Sequence, residues 1–158
     1  MRSRPPLGIT HAQPPGFASM LGYAGLLPQA AVVVVLASDT PWHFAALSLG
    51  YAYAALILSF LGGTWWGFAT RKTDQSPGWL WLAAIIPSLI GLGTAVPWAI
   101  GASWPGPSMA VLGVSLLASL LVDRWLAKAG LAPEWWMSLR VPLSVGLGSL
   151  TMAAAAIG

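Results

Sequence analysis

The residue types that carry out most protein chemistry are scarce in this sequence. Of its 158 residues, seven are Lys or Arg, four are Asp or Glu, two are His and none is Cys. The absence of Cys excludes disulfides, thiolate metal sites and thiol nucleophiles. A metal site needs clustered ligands, yet the two histidines, His11 and His43, are far apart. Since no serine is paired with a base either, the sequence predicts no metal site and no enzyme.

Cofactor sites are not predicted either. The glycine pairs Gly91/Gly93 and Gly146/Gly148 each lack the third glycine of a dinucleotide-binding loop, and neither pair follows a strand. His43 could ligate a haem or a chlorophyll, but a lone histidine at a membrane boundary is more often a polar boundary residue. We therefore predict no cofactor and leave contact with lipid or pigment open. A net charge of only +3, without a dense Lys/Arg cluster, argues against nucleic acid as a partner.

Acidic residues inside a membrane are costly and mark ion pathways or proton relays. Here all four lie at the ends of long apolar runs or between them, which argues against a proton pump. They are Asp39, Asp74, Asp123 and Glu134. Asp123 could form an ion-pair network with Arg124 and Arg140 at the inner membrane face. We expect that network to be structural, because it would lock the turn between the last two helices.

The polar residues discussed above lie on or between five long apolar runs, which must position them in the folded protein. The chain is 57% hydrophobic and 7% charged, whereas soluble domains carry roughly 25% charged residues. The runs cover about 17–37, 43–70, 78–100, 108–129 and 134–157, and each is close to or longer than the roughly 20 residues that cross a bilayer. Short segments rich in Pro and Gly separate them. We predict an all-α integral membrane bundle of about five transmembrane helices, forming one domain at residues 17–158 after a Pro-rich cytoplasmic tail at residues 1–16.

The basic residues predict the orientation of this bundle. With the N-terminus in the cytoplasm, every Lys and Arg lies in or beside a cytoplasmic segment, as the positive-inside rule requires. They are Arg2, Arg4, Arg71, Lys72, Arg124, Lys128 and Arg140. The odd number of helices then places the C-terminus outside. Tryptophans near both ends of the spans are typical of the aromatic belts at membrane interfaces.

The second apolar run has the clearest small-residue face. Ala52, Ala55, Ser59, Gly63 and Gly67 recur every three or four residues, and the last two form a GxxxG motif. Small residues let membrane helices approach closely. The sequence therefore predicts a face for helix packing or for a partner protein. The residues expected there are Ser59, Gly62, Gly63, Trp66 and Gly67.

Prolines in the first and third runs suggest a polar cavity. Pro28 lacks an N–H, so it frees a backbone carbonyl, which the neighbouring Gln29 could bond. Pro87 has the same effect in the third run. Two kinked helices could enclose a small polar cavity. The residues expected to line it are Tyr23, Pro28, Gln29, Ser59 and Trp65.

Several motifs together resemble a known family. They are residues 23–28 (YAGLLP), 57–67 (ILSFLGGTWWG), 87–89 (PSL), 123–124 (DR) and 135–140 (WWMSLR). This combination is similar to the bacterial family called domain of unknown function 3429, over most of the chain from about Gly22. The resemblance implies about five membrane helices, without an established activity or assigned catalytic residues.

Two functions fit these observations. The first is a non-catalytic accessory or assembly subunit of a larger inner-membrane complex, respiratory or photosynthetic, that contacts membrane lipids and other membrane-protein subunits through small-residue helix faces. The alternative is a small transporter or channel for a neutral or amphiphilic solute, which would use the predicted cavity. In both cases we expect a multi-pass protein of the bacterial inner membrane.

Overall fold

The computed structural model describes residues 13–102 and 104–158. Most of the predicted tail, with Arg2, Arg4 and His11, lies outside the described residues. Six α-helices follow one another, with a short 3-10 turn at Thr73–Gln75. They are α1 (Gly16–Ala24), α2 (Leu27–Leu36), α3 (His43–Arg71), α4 (Gly78–Ala99), α5 (Gly106–Lys128) and α6 (Trp136–Ile157).

Five of the resulting helical segments are long and apolar enough to cross a membrane. The first combines α1 and α2 over Gly16–Leu36, and α3, α4, α5 and α6 provide one span each. Every span begins and ends within two residues of its predicted limits. The prediction of an all-α, multi-pass membrane protein is therefore confirmed, whereas its orientation in the membrane stays a prediction.

The first span is broken at Gly25 and Leu26, which join α1 to α2 in a turn. Pro28 lies in the first turn of α2, where a missing N–H costs little. This corrects the expectation that Pro28 lies inside a continuous helix. The Gly25 carbonyl accepts a hydrogen bond from the Tyr53 hydroxyl of α3. Tyr53, and not Gln29, therefore satisfies a backbone group that the break leaves free.

The last two helices approach each other closely at a pair of facing glycines. A Cβ added to Gly113 of α5 would lie 3.1 Å from the carbonyl oxygen of Gly148, and a Cβ on Gly148 would lie 3.1 Å from that of Gly113. Gly130 in the intervening turn has a φ of 66°, a left-handed conformation that favours glycine. The sequence places glycine at the positions where the hairpin needs a close approach and a reversal.

The long helix α3 lies at the centre of the bundle and packs against α2, α4, α5 and α6. Its Leu58 belongs to a buried apolar core with Leu112 and Leu116 of α5 and Leu147 of α6. Helix α4 packs on α3 and α5, and much of its remaining surface is exposed. In a membrane that exposed apolar surface faces lipid or another protein.

The small-residue stripe of α3 divides between two directions. Ser59 forms a 2.8 Å hydrogen bond with Ser88 of α4, and Gly62 lies so close to α4 that an added Cβ would collide with the Ala84 carbonyl oxygen. Gly63 and Gly67 are exposed, and an added Cβ would meet nothing within 4 Å. The single face expected on α3 is therefore divided into two surfaces. Ser59 and Gly62 pack against α4, while Gly63 and Gly67 form an exposed surface that we call the free glycine face.

Replacing the adjacent glycines by alanine tests this division. Gly62→Ala should destabilise the protein by about 1–3 kcal/mol, because backbone atoms of α4 must move to admit the methyl group. Gly63→Ala should change stability by about 1 kcal/mol or less. The free energy of unfolding can be measured by SDS titration of the purified protein in mild detergent. Equal effects of the two substitutions would contradict the described contact between α3 and α4.

Candidate functional site

A carboxylate lies at the centre of a buried polar cluster. Asp123 of α5 is 0% exposed, and its Oδ1 accepts hydrogen bonds of 3.0 Å from the indole N–H groups of Trp65 in α3 and Trp136 in α6. Its Oδ2 accepts a 2.8 Å hydrogen bond from Nε of Arg140 in α6. A buried carboxylate needs such partners, because the loss of water is otherwise uncompensated. One side chain thus joins three helices.

The guanidinium of Arg140 has further contacts. Its Nη2 donates a 3.3 Å hydrogen bond to Ser119 Oγ, which itself donates to the Leu116 carbonyl oxygen at 2.6 Å. Its Cζ lies 5.8 Å from the centre of the Trp136 ring, within reach of a cation–π interaction. We call Trp65, Ser119, Asp123, Trp136 and Arg140 the Asp123 cluster.

The structure brings together two of the three residues expected in the ion network. Asp123 and Arg140 form a buried ion pair at 2.8 Å. Arg124 is exposed and does not join them, so its assignment to the ion network was wrong. On an α-helix, adjacent residues point about 100° apart, and Asp123 already uses the direction towards the core. Of the expected ion network only the pair of Asp123 and Arg140 forms, and both residues are buried.

Three members of the cluster were absent from the predicted network: Ser119, Trp136 and Trp65, the last of which was assigned to a cavity. A sequence signal exists for two of them. Ser119 precedes Asp123 by four residues and therefore lies on the same face of α5. Trp136 precedes Arg140 by four residues and lies on the same face of α6. No such local signal connects Trp65 to Asp123, because the two are 58 residues apart.

The five residues of the expected polar cavity are not brought together. Tyr23 is 49% exposed, and Pro28 lines a separate apolar depression between α2 and α3. Ser59 bonds to α4 and Trp65 to Asp123. Gln29 is 0% exposed, and its side-chain amide has no hydrogen-bond partner among the described residues. This corrects the expectation of one cavity built around the proline of the first span.

A different concave site lies between α1, α3 and α6. This α1–α3–α6 groove has a volume of about 430 Å³. Its walls are mostly apolar, and its rim includes the exposed side chains of Leu21 and Phe60, so it opens on the membrane-facing surface. Arg140 and Ser144 of α6 are both among the lining residues. Ser144 is 2% exposed, and its hydroxyl has no partner among the described residues.

The residues expected on α3 for helix packing or for a partner divide between these two roles. Gly63 and Gly67 are exposed and Trp66 is 46% exposed, although its ring also packs edge-on against Trp81 of α4 at 4.9 Å. Ser59 and Gly62 are used within the chain, in contact with α4. What remains available to another molecule is the free glycine face and part of Trp66.

The side chains of the Asp123 cluster and of the groove can form hydrogen bonds and apolar contacts with a ligand or a neighbouring helix. The described residues contain no group of three or more His, Asp or Glu side chains that could hold a metal ion. Asp123 is occupied by three donors, whereas Arg140 retains N–H hydrogens beyond the two used by Asp123 and Ser119. Among the residues that line the groove, Arg140 and Ser144 therefore keep hydrogen-bond donors that are free for a ligand.

Comparison with known proteins assigns the sequence to a family. A family model described as "Protein of unknown function (DUF3429)" matches residues 14–156. The chain is also 29% identical over 127 residues to "Transmembrane protein 69" of Xenopus tropicalis. That match covers 79% of this chain and 48% of the other, so the chain spans about half the length of that relative. No solved structure matches the chain. The family resemblance carried by the sequence motifs is confirmed.

Charge removal at the Asp123 cluster tests its role in stability. Asp123→Asn should destabilise the protein by about 3–5 kcal/mol, because it leaves the Arg140 guanidinium buried without its counter-ion. The double variant Asp123→Asn/Arg140→Met should recover most of this loss, since no charge then remains buried. Arg124→Met, at an exposed position beside Asp123, should stay within about 0.5 kcal/mol of the parent protein.

Unfolding by SDS, followed for all four proteins, measures these differences. A double variant that is no more stable than Asp123→Asn would contradict the described ion pair between Asp123 and Arg140.

Proposed function

The chain belongs to the DUF3429 family, and its described residues form five helices long and apolar enough to cross a membrane; we propose that it is a non-catalytic accessory or assembly subunit of a larger membrane complex. The complex is of respiratory or photosynthetic type, in the bacterial inner membrane. In this proposal the N-terminus is cytoplasmic, so that the described basic residues lie on the cytoplasmic side. Other membrane-protein subunits and lipids are the partners.

The observation that carries this proposal is the free glycine face. Three other glycines on helix surfaces, Gly62, Gly113 and Gly148, each meet a neighbouring helix so closely that a Cβ would collide with it or press against its backbone. Gly63 and Gly67 have the spacing of a helix-association motif, but a Cβ at either position would meet nothing within 4 Å among the described residues. A second helix seated there would gain the van der Waals contact that drives helix association in lipid.

Neighbouring side chains make this face suitable for a protein surface. Phe60 is 64% exposed and Trp66 is 46% exposed, and both lie within one turn of Gly63 along α3. Large aromatic side chains beside a flat glycine surface offer ridges against which a partner helix can pack. The contact area is apolar, which suits a helix inside the bilayer.

Transport of an amphiphilic solute is a second candidate, and the α1–α3–α6 groove favours it. The groove lies beside the break in the first span, and discontinuous helices frequently accompany substrate sites in transporters. Its lining residues on α6 run from the N-terminal end of the helix to Leu147, near the middle of the span. This geometry supports binding from one leaflet better than passage through the membrane, so we rank transport second.

Bulky side chains on the free glycine face test the subunit proposal. The double variant Gly63→Leu/Gly67→Leu should fold normally, because neither position touches the rest of the described chain. It should nevertheless leave the complex. In native gels of gently solubilised membranes, we expect the parent protein in a larger assembly and the variant at the size of the isolated chain.

Gly93→Leu is the matched control, since Gly93 of α4 is also exposed and also has nothing within 4 Å. It should leave the assembly intact. A parent protein that runs alone in the gel contradicts the subunit proposal, as does a double variant that stays in the assembly. If the parent protein runs alone and also accelerates the exchange of a fluorescent phospholipid between liposome leaflets, transport becomes the better account.

A further inference from the structure

The dimensions of the α1–α3–α6 groove match one leaflet of a bilayer. Along α6 its lining extends from Trp136 to Leu147, which is about 17 Å at 1.5 Å per residue. Half of a hydrocarbon core is about 15 Å. The lining from α3 extends over a similar length, from Tyr53 to Thr64. The groove is therefore long enough for a single lipid chain that enters from one membrane surface.

Two hydrogen-bond donors of the groove are stacked along this direction. Arg140 lies one turn from the start of α6, and Ser144 lies one turn further towards the middle of the membrane, about 6 Å deeper. Both are at least nine-tenths buried, and both line the groove. Arg140 has N–H hydrogens beyond those bound by Asp123 and Ser119, and the Ser144 hydroxyl has no partner within the described chain. Buried donors of this kind need an acceptor.

The order of donors along α6 corresponds to the order of acceptors in a glycerophospholipid. Its phosphodiester lies at the membrane surface, an ester carbonyl lies a few ångströms deeper, and the acyl chain continues into the hydrocarbon. Guanidinium groups form strong, charge-assisted hydrogen bonds with phosphate oxygens. Trp135 and Trp136 line the same end of the groove, as expected for aromatic side chains at the level of the headgroups.

We propose that the α1–α3–α6 groove binds one glycerophospholipid, with its phosphodiester at Arg140, an ester carbonyl at the Ser144 hydroxyl, and one acyl chain along the groove towards Leu147. Asp123 already balances the charge of Arg140, so Arg140 recognises the phosphodiester through its remaining N–H groups, and a further negative charge on the headgroup is not required. The lipid site does not depend on the subunit proposal, because Gly63 and Gly67 are not among the residues that line the groove, although Phe60 borders both surfaces.

The proposal is tested by native mass spectrometry of the purified chain in a mild detergent. Phosphatidylglycerol, or diacylglycerol with the same acyl chains, is titrated into delipidated protein. We expect saturation at one phosphatidylglycerol per chain and at least tenfold weaker binding of diacylglycerol, which lacks the phosphodiester. Equal binding of the two lipids would overturn the role of Arg140, and binding of many lipids without saturation would reduce the groove to ordinary lipid contact.

Two substitutions locate the lipid. Ser144→Ala should weaken phosphatidylglycerol binding about three- to tenfold through the loss of one hydrogen bond. Ala18→Phe, which puts a ring into the α1 side of the groove, should weaken it more than tenfold. Their controls are Ser115→Ala, whose hydroxyl bonds its own helix on α5, and Ala118→Phe at an exposed position of α5. If the controls reduce binding as much as the groove variants, the lipid does not occupy the groove.

Discussion

The arrangement of this bundle depends on how one buried carboxylate is satisfied. Asp123 is inaccessible to solvent, and its two oxygens accept hydrogen bonds from Trp65, Trp136 and Arg140, which come from two other helices. In hydrocarbon, an unpaired charge would cost several kcal/mol, so the three donors and the acceptor must keep their relative positions. That requirement fixes α3, α5 and α6 against one another at the end where α5 and α6 meet. Arg140 is held as a consequence, and it is also one of the residues that line the groove.

Elsewhere in the molecule, too, specific residues meet the packing and hydrogen-bonding requirements of the helices. Glycine appears where backbones approach, as at Gly113 and Gly148, while Tyr53 compensates for the break in the first span by bonding the Gly25 carbonyl. Of the groups left without a contact among the described residues, two carry our proposals: the exposed glycines of α3 and the unbonded Ser144 hydroxyl. The first suits a protein partner and the second suits a lipid. Our two proposals assign a different molecule to each.

Sequence reasoning predicted the spans well, because long apolar runs separated by Pro and Gly leave little freedom in where helices end. It did not predict which way each helix face points. Of the adjacent glycines on α3, Gly62 contacts α4, whereas a Cβ on Gly63 would meet nothing within 4 Å in the described part of the chain. A pattern of small residues does not fix the rotation of a helix, so the sequence could not separate the two. The pairing of Asp123 with Trp65 was equally out of reach, since it joins residues 58 positions apart. Arg124 was assigned to the network only because it adjoins Asp123 in sequence.

The hydrogen bonds of the two indoles to Asp123 can be observed directly by proton–nitrogen NMR of the protein in lipid nanodiscs. The resonances of Trp65 and Trp136 are assigned with Trp→Phe variants, and Trp42, which is 69% exposed, provides an internal reference. We predict that the indole N–H signals of Trp65 and Trp136 lie downfield of the Trp42 signal and exchange with water far more slowly. Shifts and exchange rates equal to those of Trp42 would show that Asp123 does not join the three helices, and would contradict a bundle organised around that carboxylate.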